Sequence, residues 1–191
     1  MNDTRILLLV FALAALAPSL AQVRIIPHIT ARDNGFQTII LIRNHSNQDQ
    51  AFTLRPYTKA GQRLLPAGDN GNLLKPGEIR RLDPQQISTA QTEISHMVID
   101  SADEVSVGVA YRFNREGSSP AHVLEQRSQS KLWRLFPGDW SHVFDSIAVV
   151  NLGDAAANVR IVQFDFAGGE LTSQTPPSLE NIPVNGKGLF L

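Results

Sequence analysis

With 191 residues, 42% hydrophobic and 18% charged, the chain has an ordinary globular composition able to bury a core, which excludes disorder of the whole length. The 17 Lys plus Arg against 18 Asp plus Glu leave a formal charge of -1, so neither a basic nucleic-acid footprint nor a polybasic membrane patch is present. There is no cysteine, which excludes a disulfide framework and a lipid-modified N-terminal Cys.

Arg5 and the α-amine precede an uninterrupted apolar run from Ile6 to Ala17, and Pro18-Ser19-Leu20-Ala21 then places small residues at the two positions a signal peptidase reads. This predicts a signal peptide over residues 1–21, cleaved after Ala21, and a periplasmic or secreted address. The rival is a membrane-anchoring helix, but twelve apolar residues at about 1.5 Å each span only ~18 Å of a ~30 Å hydrocarbon core. No membrane contact is expected after cleavage, because no later stretch reaches transmembrane length.

Val23 to Ile29 contains a short apolar run followed by Pro27, which suits an edge strand because proline cannot donate to a ladder. Asp33-Asn34-Gly35 turns the chain. The four consecutive apolar residues Ile39 to Ile42 predict a central strand covered on both faces, and Asn44-His45-Ser46-Asn47 a turn whose short polar side chains bond their own backbone. Asp69-Asn70-Gly71 and Lys75-Pro76-Gly77 are further turns, the second leading into a short strand from Glu78 to Leu82. Val105 to Phe113 alternates large apolar with small or polar residues, so Val107, Val109 and Tyr111 should face a core and Ser106, Ala110 and Arg112 the other way. Glu93 to Ile99 is read as its hairpin partner. Residues 114–130 are polar, with Gly117-Ser118-Ser119-Pro120 at their start, and read as a linker or long loop.

Gly35 to Leu64 recurs, shifted by 107 positions, at His142 to Leu171: Ile40 falls on Ile147, Asn44 on Asn151, Gly61 on Gly168 and Leu64 on Leu171. This predicts an internal duplication, with a first β-sandwich unit over residues 22–113 and a second, incomplete one over residues 131–191. Asn185-Gly186 stands near the place of Pro76-Gly77, while no counterpart of Glu93 to Phe113 follows. A piece of about sixty residues buries only ~60% of its unfolded surface, so the two units are expected to share one continuous core and leave at most one open sheet edge. The class is all-β, an antiparallel immunoglobulin-like sandwich, since no amphipathic helical run with capping signals follows the signal helix. A transmembrane barrel fits less well, because the central strands are apolar on both faces and aromatic girdles are missing.

His28, His45, His96, His122 and His142 include no pair at a metal-binding interval, and no metal or other cofactor is expected. His96 alternates with Ile94 and Val98 and reads as a hydrogen-bonded core histidine, whereas His122 should face water. Asp69-Asn70-Gly71-Asn72 has too few carboxylates for a calcium loop. There is no nucleophile elbow, P-loop or dinucleotide fingerprint. Asp139 and Asp145 are near enough in sequence to suggest a carboxylate pair, but nothing sets their separation. Trp133, Phe136, Trp140 and Phe144 cluster at the entry to the second unit, where they either fill the junction or, with Trp133, Trp140 and Phe136 exposed, contact a glycan or protein partner.

Ile26-Pro27-His28, Gly35-Phe36 with a strand after it, Asn44-His45-Ser46-Asn47, Pro76-Gly77-Glu78 and Val107-Gly108-Val109-Ala110-Tyr111-Arg112 together resemble a loosely defined group of exported bacterial proteins with duplicated immunoglobulin-like sandwich units. The resemblance covers most of residues 23–191 and implies fold and export without an activity. Asn44 to Phe52 also resembles the polar turn in the first domain of periplasmic pilus chaperones, although the paired basic residues that hold a client's C-terminus cannot be placed here. The expected function is therefore a non-enzymatic, macromolecule-binding or structural module of the periplasm or cell surface. The alternatives are a secreted carbohydrate-binding or carbohydrate-active protein using Trp133 and Trp140 with Asp139 or Asp145, and a chaperone-like protein. Partners would be protein through an open sheet edge, or glycan, and not nucleic acid.

Overall fold

The computed structural model describes residues 24–30, 35–65, 71–88, 94–113, 121–135 and 146–190. The signal peptide with its cleavage after Ala21, the Asp69-Asn70 turn, and Phe136, Asp139, Trp140, His142, Phe144 and Asp145 lie outside the described residues. Within them run β1 (Arg24–Ile26), β2 (Phe36–Asn44), β3 (Gln50–Tyr57), β4 (Gly71–Leu74), β5 (Ile79–Leu82), β6 (His96–Ser101), β7 (Val105–Phe113), β8 (Ala121–Leu124), β9 (Ile147–Val150), β10 (Ile161–Phe164), β11 (Glu170–Gln174) and β12 (Lys187–Phe190). The helical turns described are short 3-10 pieces at Pro84–Gln86 and Pro177–Leu179, so the described residues are all-β, with antiparallel pairing between every pair of described strands.

Two four-stranded sheets, ordered β1-β6-β3-β4 and β5-β2-β7-β8, carry the core. One sheet supplies Ile26, Phe52, Leu54, Leu74, Met97 and Ile99; the other supplies Ile40, Ile42, Val105, Val107 and Val109, all of them buried in one cluster. Removing these side chains from water is the main favourable term, roughly 1.5–3 kcal/mol for each large aliphatic side chain. The cluster also takes in Ile29, Ile87 and Ile94, has Leu64, Leu82 and Tyr111 packed against it, and among the described residues takes in none beyond Tyr111.

The alternation of β7 holds with one difference. Val105, Val107 and Val109 are buried and Arg112 is exposed, but Ala110, expected on the outer face, is also buried. It sits in a strand flanked on both edges, paired with Ile39 on one side and His122 on the other. In β2 the inner positions Ile40 and Ile42 are fully buried while Ile39 and Leu41 are half-buried, so the outer face has less cover than the apolar run suggested.

The stretch ending at Ile99 and β7 do not form a hydrogen-bonded hairpin: β6 pairs with β1 and β3, whereas β7 pairs with β2 and β8 in the other sheet. The turn at Ala102 to Glu104 therefore carries the chain across the sandwich as an arch, which lets both strands put apolar side chains into the same core. The polar stretch 114–130 is likewise not merely a linker, since it contains β8 and then Gln126, whose backbone exchanges hydrogen bonds of 3.0 and 2.8 Å with Ile25. The chain thus leaves the edge of one sheet and closes onto the edge of the other.

Arg24 locks this crossing. It is 2% exposed, and its guanidinium donates to both Glu125 carboxylate oxygens at 2.7 Å, to Ser101 Oγ at 2.6 Å, to the Ala102 carbonyl at 2.9 Å and to the Val105 carbonyl. Burial opposes ionisation of Glu125, but the hydrogen bonds from Arg24 and Arg127 hold its carboxyl below the usual carboxylate range.

Beyond residue 146 the strands form two ribbons, β12-β9 and β10-β11. In β9 every residue is half-buried, and β11 is exposed along its whole length. Leu179 and Ile182 are buried against Gly188, where a Cβ would come within 2.6 and 2.7 Å of their side-chain ends and 2.8 Å of the Ser178 carbonyl oxygen, so any side chain there forces its neighbours to shift. Among the described strands β1, β4, β5, β8, β9, β10, β11 and β12 each have a single strand partner.

Candidate functional site

The most unusual chemistry in the described residues lies where β12 meets the N-terminal sandwich. Lys187 is 7% exposed. Its Nζ donates to the Ser95 carbonyl at 2.8 Å and lies 3.0 Å from His28 Nδ1, while its backbone N–H donates to the Lys59 carbonyl at 3.0 Å. An ammonium can only donate, so His28 Nδ1 accepts and the ring proton sits on Nε2. His28 is positioned in turn by its carbonyl, which accepts from Tyr111 Oη at 2.6 Å, and by the Tyr111 ring at a centroid distance of 5.8 Å. Ser95 is pinned through Ile29 N–H donating to its carbonyl and its own N–H donating to Tyr57, both at 2.8 Å.

His96 stands next to this group, 1% exposed and stacked on Tyr57 at 5.4 Å with an interplanar angle of 11°. It is a core histidine as expected, but not a hydrogen-bonded one, since neither ring nitrogen closes a well-formed hydrogen bond. Burial and then Lys187 push it down to about 4, against a weak opposing pull from the Asn185 backbone. His28 also falls to about 4, through burial and then Lys187, and Lys187 falls to about 8 through burial and then Lys59. Burial raises the Tyr111 phenol. All of these shifts favour the neutral form of a buried base or acid, because charge is costly away from water.

The Thr58–Gln62 turn and the Val184–Gly186 turn fit into one another here. Gly61 has φ +85°, and a Cβ on it would lie 2.2 Å from the Val184 carbonyl oxygen. Asn185 adopts φ 56°, a conformation asparagine tolerates better than most residues. Two neighbouring turns with left-handed backbones thus bring the C-terminal ribbon close enough for Lys187 to reach His28.

The arrangement is a polar clasp. The Lys187 amine is engaged by His28 Nδ1 and the Ser95 carbonyl. Among the described residues no group of three or more His, Cys, Asp or Glu could hold a metal ion. A shallow pocket of about 380 Å³ lies elsewhere, lined by Ser106, Val107 and the stretch Leu124 to Ser128, and its charged walls Glu125 and Arg127 are already paired with one another.

Of the residues singled out from the sequence, Trp133 is 53% exposed between exposed Leu132 and Leu135, so it does not fill a junction. His122 is exposed, as expected. Lys187 carried no signal in the sequence: a lone lysine near a glycine turn is ordinary, and only the fold buries it.

The molecule is therefore an all-β protein of antiparallel sheets whose described residues present a structural clasp and exposed strand edges. No helix of the described residues is long and apolar enough to cross a membrane. Compared with known proteins, the chain matches no protein-family model, no curated protein and no solved structure.

Proposed function

We propose that the chain is an exported, non-enzymatic binding or structural module made of two immunoglobulin-like sandwich units, the second a diverged copy of the first. The observation that carries the duplication is a repeated set of buried hydrogen bonds. Asn44 Nδ2 donates to the carbonyls of Gln48, Leu74 and Lys75 at 2.7, 3.1 and 3.0 Å, and its Oδ1 accepts from Ser46 N–H at 2.9 Å. Asn151 Nδ2 donates to the carbonyls of Ala155, Ile182 and Pro183 at 2.8, 2.9 and 3.2 Å, and its Oδ1 accepts from Gly153 N–H at 3.0 Å. Strand register supports the same reading: Ile40 to Arg43 pair with Leu82 to Ile79, and Ile147 to Val150 pair with Phe190 to Lys187. The turns agree too, with Thr58 and Asp165 each accepting from the glycine three residues on at 3.1 Å, and Gly61 and Gly168 both at φ 85°.

Export rests on the signal-like N-terminus, and a binding role rests on the exposed strand edges. Expression in a bacterial host tests the address: mass spectrometry of the envelope fraction should give a protein beginning at Gln22, and an intact N-terminus in the cytoplasm would refute it. The carbohydrate-binding alternative draws on exposed Trp133. A glycan array that lights up and then fails with Trp133→Ala would favour it over the structural module.

A further inference from the structure

The ribbon β9-β12 is held to the N-terminal sandwich by a small, polar attachment. In β3 and β6 strand alternation turns Tyr57, His96 and Val98 away from Leu54, Met97 and Ile99 of the core. His96 is nevertheless 1% exposed, because the Asn185 backbone of the Val184–Gly186 turn lies against it on this outer face. Among the described residues the ribbon adds nothing to the core cluster, and its buried Leu179 and Ile182 pack over its own Gly188. Its hydrogen bonds to the sandwich, among those residues, converge on Lys187: the N–H on the Lys59 carbonyl, and Nζ on the Ser95 carbonyl and His28 Nδ1.

The last of these bonds depends on protonation. Neutral His28 accepts at Nδ1, whereas a protonated imidazole carries N–H on both nitrogens and can only donate. It then stands as a cation 3.0 Å from the Lys187 ammonium, where water is largely removed and like charges repel strongly. A proton on His96 adds a second charge beneath the Asn185 turn, with neither ring nitrogen paired. Among the described residues, Lys187 is the charge that bears on both histidines, and Lys59 the one that bears on Lys187. Tyr57 and Tyr111 present phenol rings to His96 and His28. Further along the same face Asp100 is paired with Arg55, while Arg63 and Glu180 are exposed and β9 has no ionisable side chain.

We infer that this attachment is an acid-released latch: when His28 and His96 take up protons, the ribbon from Ile147 to Phe190 lifts off β3 and β6 as a unit while the two four-stranded sheets stay folded. The sheets keep their own core and their lock, since Arg24 and Arg127 hold the Glu125 carboxyl ionised below the usual range. Release uncovers the rings of Tyr57 and His96. Both histidines bind a proton at about 4 when docked against 6.5 ordinarily, so docking is fully present above pH 6.5 and weakens as pH falls toward 4. By pH 4.5 His28 alone weakens docking on the order of fiftyfold.

Amide hydrogen exchange of the full chain, corrected for the intrinsic rate at each pH, tests the latch. Between pH 7.5 and pH 4.5 the Lys187 amide should lose on the order of fiftyfold in protection, while the central amides of β2 and β7 remain far better protected than it is. Equal protection of Lys187 and β7 at both pH values overturns the latch, because opening is then global; so does a Lys187 amide whose protection does not change. His28→Asn keeps an acceptor oxygen near the place of Nδ1 without a titrating ring, and should shrink the acid loss to the part that His96 contributes. A variant that folds and shows the full wild-type loss removes His28 from the device. Should the variant not fold, small-angle scattering of the unaltered protein decides: the radius of gyration should rise reversibly from pH 6.5 to pH 4 with the far-ultraviolet β-sheet signal unchanged, and a constant radius overturns the release.

Discussion

Single polar residues hold the turns and the clasp. Asn44 is fully buried and spends both amide protons and its carbonyl on three backbone carbonyls and one N–H. Asn44→Ala strands those groups away from water, and a loss of about 3 kcal/mol is expected in urea melts. The clasp also makes stability depend on pH. His28 and His96 have folded values of about 4 against an ordinary 6.5, so between those limits the unfolded chain binds protons that the folded chain refuses, and acidification favours unfolding. Lys187 acts in the same sense at higher pH: with about 8 folded and 10.5 ordinarily, stability should climb as pH rises through that interval. Lys187→Met should abolish the alkaline rise while keeping the acid limb, and melting midpoints collected from about pH 4 to pH 10 check both signs.

At the level of elements, strand β7 and the interlocked turns make the sharpest claims. Val109 is 2% exposed in the middle of the core, and Val109→Asp would bury an uncompensated carboxylate costing several kcal/mol out of a typical ~5–15. Loss of the cooperative melt is expected. Gly61 and Gly77 both have positive φ, but only Gly61 is crowded, by the Val184 carbonyl, while nothing lies within 4 Å of a Cβ on Gly77. Gly77→Ala should therefore cost about 1 kcal/mol of backbone strain, and Gly61→Ala clearly more, with amide exchange around Val184 to Lys187 rising. Equal effects would mean that the turn contact carries no weight. The alternation in β7 was legible because one of its faces meets a core. The edge strand β8 was not, since all four of its residues are exposed and backbone pairing rather than side-chain burial holds it.

For the whole molecule, closure depends on the chain returning from β8 to β1. Arg24 and Glu125 are 101 residues apart and nearly inaccessible, so Glu125→Ala leaves a buried guanidinium without its counter-charge, at an expected cost of about 3–5 kcal/mol. The core cluster, all of it between Ile26 and Tyr111, should loosen as one cooperative unit in the same thermal melt. Glu125→Gln should recover part of the loss, because its amide oxygen can still accept from Arg24.

The sequence by itself determined the all-β class, the central strands, the turn residues and the offset between the two similar stretches, because strand period, glycine conformation and asparagine turns are properties of a few neighbouring residues. Tertiary structure alone decided that β6 and β7 belong to opposite sheets, that Glu125 answers Arg24, and that Lys187 is buried against His28. Each of these depends on which distant segments share a low-dielectric interior. A lysine or glutamate carries the same letters on the surface and in the core, and what differs is the water that the fold removes from around it.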